Sequence, residues 1–269
     1  MATIAGLLVV LIAVFVSLEA WPALRRVGLL RFFTDPSWHP TEALFGMAPM
    51  LAASLAVTAG AVLVATPLGI LSACFARFWA PSWIADWHRR ALELLAGIPS
   101  VVYGLWGLDT LVPLIARWQP PGASLAAALA ILSLMILPTV ALTSTAALRA
   151  VDPDVLRGGA ALGLDRTAIA LRLAVPAARG GIATGVVLAT ARALGETMAV
   201  LMVAGNVVRW PTDLLGPVRP LTVNLALEMA YATADHRAAL FVGGVLLVAS
   251  VAVLVAAADR LDPEGVARA

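Results

Sequence analysis

Lysine is absent from this 269-residue chain, and all eighteen of its Lys/Arg positions are Arg. Without Lys there is no phosphate-loop Lys and no Schiff-base Lys. A standard P-loop ATPase is therefore excluded, and any ATP dependence has to come from a partner. The Arg-only bias, with the abundance of Ala, reads as genomic base composition rather than function. Cysteine is reduced to one residue, Cys74, in an apolar run. It cannot form an internal disulfide and reads as a small packed hydrophobe. The three His residues (His39, His88, His236) are scattered singly, which does not build a metal site. No nucleophile–base set stands out either, so the chain does not read as an enzyme. Charge is scarce, at 13% of residues against about 25% in soluble domains. With 61% of residues hydrophobic, this is the composition of an integral membrane protein. The net charge of +2 is spread along the chain and implies no nucleic-acid surface.

What the chain does hold is a series of long apolar runs, expected to form one all-α membrane domain over 1–269 with about six transmembrane helices. Residues 2–18 make an uncharged run of spanning length. The basic region of a cleaved signal peptide is missing, so this run reads as a retained first span. A polar loop over 19–46 follows, with Trp21 and Trp38 suited to a membrane interface. The core spans lie within about 47–258. The second, roughly 47–75, is interrupted by Pro67 and Gly69. The link RFWAPSWIADWHRR reads as an interfacial turn or a short amphipathic helix. The third span, 91–116, carries Glu93, Gly97, Pro99, Gly104, Gly107 and Asp109, a heavy load of helix disruptors. The fourth is about 123–148. The fifth is about 176–206, and the sixth is about 238–258 before a short tail, 259–269. Between the last two, VNLALEMAYA suggests a short surface helix, with Asn224 and Glu228 at the outer mouth or against a partner. Six spans put both termini on one side, and the Arg excess of the loops on the side of 149–172 favours the cytoplasm for that side.

The most informative stretch is Arg149 to Asn206. Its first part, about 149–176, is charged and amphipathic. Its second is apolar enough to cross a bilayer yet carries Arg192 and Glu196. On a continuous helix these lie at i and i+4, on one face, where they can pair. An ionisable group at mid-membrane costs about 2.5–3.5 kcal/mol on insertion scales. Two such groups imply a protein interior or a watery path, and hence a polytopic transport protein.

The run RGGAALGLDRTAIALRLAVP resembles the cytoplasmic loop of importer permeases of the ATP-binding-cassette class. In that family E-A-A, three residues and Gly lead by a fixed gap to a hydrophobic-Pro end. Gly163 and Pro176 are thirteen residues apart here, as in the family. The glutamate position falls on Arg157 and the two alanines on Gly158 and Gly159. ELLAGIPSVVYGLWGL, RALGETMAVLMVAGN, EAWPAL, ATPLGI and VNLALEMA resemble the C-type permease of the bacterial phosphate-specific transport system, in order and over nearly the whole chain.

That resemblance implies a type I importer-permease fold with a cytoplasmic coupling helix, in a multi-pass protein of the bacterial inner membrane. It implies a heteromeric phosphate importer, with a second, A-type permease, an ATPase dimer that uses ATP and Mg, and an extracytoplasmic phosphate-binding protein. The chain itself would bind no cofactor and contact membrane lipid. Arg192 would meet the anion through its planar donors, Glu196 would moderate its charge, and Thr197 would add a hydroxyl. Glu93 is a fourth pathway candidate. Arg157, Gly158, Gly159, Leu162, Gly163 and Leu164 would form the ATPase-coupling element. The competing assignments are a structural ion pair for Arg192 and Glu196, headgroup exposure for Glu93, and an ordinary surface loop for 149–172. At the level of the whole protein they are a permease for sulfate or molybdate, a secondary anion transporter with a proton relay, and a phosphate-sensing scaffold.

Overall fold

In the computed structural model, the described residues are 2–261, so 262–269 of the tail lie outside them. The first helix, α1 (Ala2–Val27), runs well past the expected end at residue 18 and contains Pro22. Part of the anticipated polar loop 19–46 is thus helical, and α2 (Leu29–Thr34) follows at once. Two short strands, β1 (Trp38–His39) and β2 (Leu44–Phe45), pair antiparallel in a hairpin. Next come α3 (Ala48–Cys74), a π-helical turn Phe75–Trp79, and α4 (Ser82–Gly97). The link after the second span is therefore mostly helix, with an apolar and a polar face.

The expected third span, 91–116, is not one straight helix. Ile98, forced out of the helical region by the proline that follows it, has φ −67° and ψ 128°. The chain restarts as α5 (Ser100–Trp106) and continues through a π-helical turn, Gly107–Leu111, into α6 (Val112–Ala116). After α7 (Leu125–Arg149) come α8 (Pro153–Ala161), α9 (Arg166–Ala168), a π-helical turn Ile169–Ala174 and α10 (Val175–Ala177). The expected fifth span, 176–206, is likewise divided. It becomes α11 (Arg179–Gly195) and α12 (Met198–Val203), and Arg166–Ala177 meets α11 at a 71° bend. The chain closes with α13 (Leu221–Glu228), the expected short helix, and α14 (Ala234–Leu261). Four segments are long and apolar enough to cross a membrane: Gly6–Val27, Ala48–Trp79, Leu125–Arg149 and Ala234–Ala256. Counting each of the two bent pairs as one span gives six.

The chain divides into two compact units. One comprises residues 2–58, 100–131 and 194–253, and the other 59–99, 132–193 and 254–261. In the first, a core of Phe32, Met47, Met50, Leu221 and Leu240 ties the hairpin region to α13 and α14. Glycines let α5 and its π-helical turn approach their neighbours in this unit. A Cβ on Gly104 would fall 2.8 Å from Met202 Sδ, and one on Gly107 2.7 Å from Ile131 Cδ1. These two residues therefore serve close packing rather than helix disruption. In the second unit, Cys74, Leu148, Ala174 and Ile182 form the core. Small residues again set the spacing, because Gly181 lies over Ala147 and Gly185 over Thr143, one helical turn apart on both α11 and α7. This is the small-residue contact of membrane helix pairs, where the hydrophobic effect gives little drive and close packing supplies the stability.

A Cβ on Gly185 would stand 2.0 Å from Thr143 Oγ1. Gly185→Val should therefore overpack the α7–α11 contact and destabilise the protein by about 1–3 kcal/mol. Thermal unfolding in detergent should show a lower midpoint, partly restored by adding Thr143→Ala.

Candidate functional site

Residues 149–176, expected to form the coupling element, fold as short helices joined at Gly163. Asp152 caps α8, its carboxylate accepting from Asp154 N–H at 2.8 Å, with Pro153 at the first helical position. Asp165 caps α9 by accepting from Ala168 N–H at 2.8 Å. Between the helices Gly163 has φ +79°, a left-handed conformation that costs a side-chain-bearing residue roughly 1–2 kcal/mol. The result is a helix–Gly–helix turn with Leu162 at its tip, 84% exposed. Leu164 is half-buried and folds back beneath α8. Gly159 is buried where a Cβ would come 2.4 Å from Leu173 Cδ1, while Gly158 faces open space. Arg157, at the position of the family's glutamate, pairs with Asp154 on its own helix and stays exposed. An apolar side chain held out on a capped, rigid turn is suited to insertion into a partner's surface.

The pathway candidates are arranged differently from the expectation. The helix that carries Arg192 stops at Gly195, so Glu196 is not one turn further along the same face. Instead the Glu196 carboxylate accepts from Ala199 N–H at 3.1 Å and caps α12. Its carbonyl accepts from the Thr222 hydroxyl of α13 at 2.9 Å. The Thr197 hydroxyl lies 3.3 Å from the Gly195 carbonyl, within the break itself. Arg192 is exposed near the end of α11 and forms no ion pair within its own unit among the described residues. The i, i+4 argument failed because Gly195 and the Glu-Thr pair after it end the helix, and apolar periodicity does not register such a stop. Glu93 lies on α4, where its carboxylate accepts from Arg89 Nε at 2.9 Å.

One polar cluster escaped the sequence reading. Glu228, 7% exposed, accepts from Trp38 Nε1 at 2.8 Å, from Arg219 Nη1 at 2.8 Å, and lies 2.9 Å from His236 Nε2. Arg219 also donates to Asn224 Oδ1 at 3.2 Å and to the carbonyl of Asn206 at 2.7 Å. Asn224 and Glu228 are thus interior residues rather than the surface groups anticipated, and Trp38 is a buried donor rather than an interface anchor. A carboxylate amid the apolar run VNLALEMA was the available signal, but its partner Trp38 is 190 residues away in sequence.

The family described as "Binding-protein-dependent transport system inner membrane component" matches residues 65–264. The chain belongs to that family. It is a multi-pass membrane protein of the permease class, a class of transport proteins rather than enzymes. It is 39% identical over 231 residues to a Bacillus subtilis protein named "Probable ABC transporter permease protein YqgH", covering 83% of this chain and 75% of that one. It is 35% identical over 252 residues to the "Phosphate transport system permease protein PstC" of Mesorhizobium japonicum, covering 85% and 76%. The protein of the same name from Xylella fastidiosa is 30% identical over 280 residues, covering 95% and 86%. The resemblance to C-type phosphate permeases read from RALGETMAV and its companions therefore holds over most of the chain. Among solved structures, an inward-facing form of the MetNI methionine ABC transporter matches with a TM-score of 0.60 at 19% identity, covering 84% of this chain and 97% of that one. The permease has the all-α fold of type I ABC importers.

Removing one partner of a buried charge network typically costs about 3–5 kcal/mol. Glu228→Ala, which leaves Arg219 without its carboxylate, should accordingly lower the unfolding midpoint of the permease far more than Glu93→Ala, whose partner is solvated. Parallel melts of the two variants check this ordering.

Proposed function

We propose that this permease is one half of the membrane path of an ATP-driven phosphate importer. The second half is an A-type permease, the energy comes from an ATPase dimer that binds ATP and Mg, and an extracytoplasmic binding protein delivers inorganic phosphate. The observation that carries this reading is the likeness over most of the chain to permeases named for phosphate transport, which includes the RALGETMAV stretch around the helix break. The exposed Leu162 tip on its capped turn supports the coupling role of 149–176. In this reading the turn and both termini face the cytoplasm.

Arg192, without a carboxylate partner in its unit, offers a guanidinium to phosphate oxygens as the anion passes. Glu196 spends its carboxylate on the cap of α12, so it shapes the break beside the path more than it neutralises Arg192. Thr197 sits in that break with its hydroxyl on the Gly195 carbonyl at 3.3 Å, and it reaches the anion by turning from that carbonyl. Glu93, already paired with Arg89, is the weakest pathway candidate. The same geometry would serve sulfate or molybdate, and the generic permease name of the Bacillus relative leaves room for that reading.

Radiolabelled phosphate uptake in cells without other high-affinity uptake, expressing the permease with its partners, tests the assignment. A charge-assisted hydrogen bond contributes about 1.5–3 kcal/mol. Arg192→Ala at matched membrane levels should therefore lose about tenfold or more of the uptake rate. Excess sulfate should leave wild-type uptake intact. Unimpaired uptake by the variant makes Arg192 structural, and loss of wild-type uptake to sulfate or molybdate moves the substrate to that oxyanion. For the coupling turn, Gly163→Val should reduce uptake and partner-dependent ATP hydrolysis together while the protein still reaches the membrane.

A further inference from the structure

A second basic site is built within the unit that carries the coupling turn. The π-helical turn Phe75–Trp79, the middle of α4 and the last two turns of α7 line a partly open cavity of about 270 Å³. His88, Arg89 and Glu93 line it from α4, and Leu142, Thr145 and Arg149 from α7. Arg149 forms no hydrogen bond or ion pair within its unit among the described residues. His88 is held through Nε2, 2.7 Å from the Ser72 hydroxyl, which leaves Nδ1 as the open ring nitrogen. Glu93 compensates Arg89 but leaves the guanidinium edge beyond Nε free. Two guanidinium groups against one carboxylate give the cavity a positive balance.

Its surroundings are those of a membrane interface. Trp83 and Trp87 stand 67% and 70% exposed on α4, with the basic pair Arg89–Arg90 one turn on. Exposed Trp beside Arg on an amphipathic helix is the pattern of segments lying at headgroup level. Basic pockets between membrane helices at that level accept phosphate-bearing headgroups. The volume is a little under the roughly 300–1,000 Å³ of pockets for drug-sized ligands, and so fits a small anionic group.

We propose that this cavity binds a phosphate group, with Arg149 and Arg89 as the charged donors and His88 as a third. The group is either the phosphodiester of an acidic phospholipid or free inorganic phosphate. Glu93 acts within the cavity as the opposing charge that weakens the site. The site uses none of Arg192, Glu196 and Thr197 and does not depend on phosphate being the transported ion.

The test uses the full-length permease assembled with its partners in nanodiscs. In the lipid arm, neutral phosphatidylcholine discs are doped with phosphatidylglycerol, and retained lipid is counted by native mass spectrometry. In the free-ion arm, inorganic phosphate is titrated into neutral discs in an Arg192→Ala background, with the unfolding midpoint as readout. Arg149→Gln should weaken whichever probe binds by about tenfold. Glu93→Gln should strengthen it, and Arg90→Gln, outside the lining, should change nothing. Binding in the lipid arm alone assigns the site to a headgroup, and in the free-ion arm alone to phosphate. Failure of both probes to bind wild type, or binding by Arg149→Gln and Glu93→Gln equal to wild type, overturns the proposal.

Discussion

A helix that stops within a membrane span leaves backbone donors and acceptors without intrahelical partners, and lipid supplies none. The same need for partners arises where α11 ends at Gly195, and the first unit meets it at Glu196 and Thr222. The Glu196 carboxylate takes up a backbone donor of α12, and the Thr222 hydroxyl takes up the Glu196 carbonyl. At the far end of α12, Asn206 Nδ2 donates to the Leu201 carbonyl, and Arg219 donates to the carbonyl of Asn206. Arg219 is fixed in turn by Glu228, which Trp38 and His236 hold in place. The buried cluster therefore anchors α13, whose Thr222 hydroxyl holds the Glu196 carbonyl. In the proposed reading the break lies beside the path, because irregular backbone at membrane depth is tolerated where it lines a cavity.

Local features of the chain were legible from residues alone. The loop pattern located the turn at Gly163, while the caps at Asp152 and Asp165, each acting within a few positions of itself, came from the structure. The apolar runs gave the spans, and Pro99 the break that follows Ile98. The short helix α13 was visible in VNLALEMA for the same reason.

What sequence did not reveal depends on distance or on how a helix ends. Arg192 and Glu196 are at helical spacing, but Gly195 closes the helix between them, and hydrophobic periodicity continues straight through the stop. Trp38 looks like an interface anchor until β1 carries it to Glu228. Gly104 and Gly107 look like disruptors until their neighbours, Met202 and Ile131, are in place. The last two were decided by contacts made far along the chain, and the first by a helix stop.

The central claim is that the Gly195–Thr197 break faces water along a path for an anion. The chain offers a direct probe, since Cys74 is its single cysteine and is 2% exposed. In a Cys74→Ser background, Thr197→Cys in the membrane-embedded permease with its partners can be reacted with a small water-soluble thiol reagent. The account predicts labelling at a measurable rate, slowed by phosphate and unaffected by a chloride control of equal ionic strength. A thiol that never reacts, or reacts at a rate indifferent to phosphate, would contradict it.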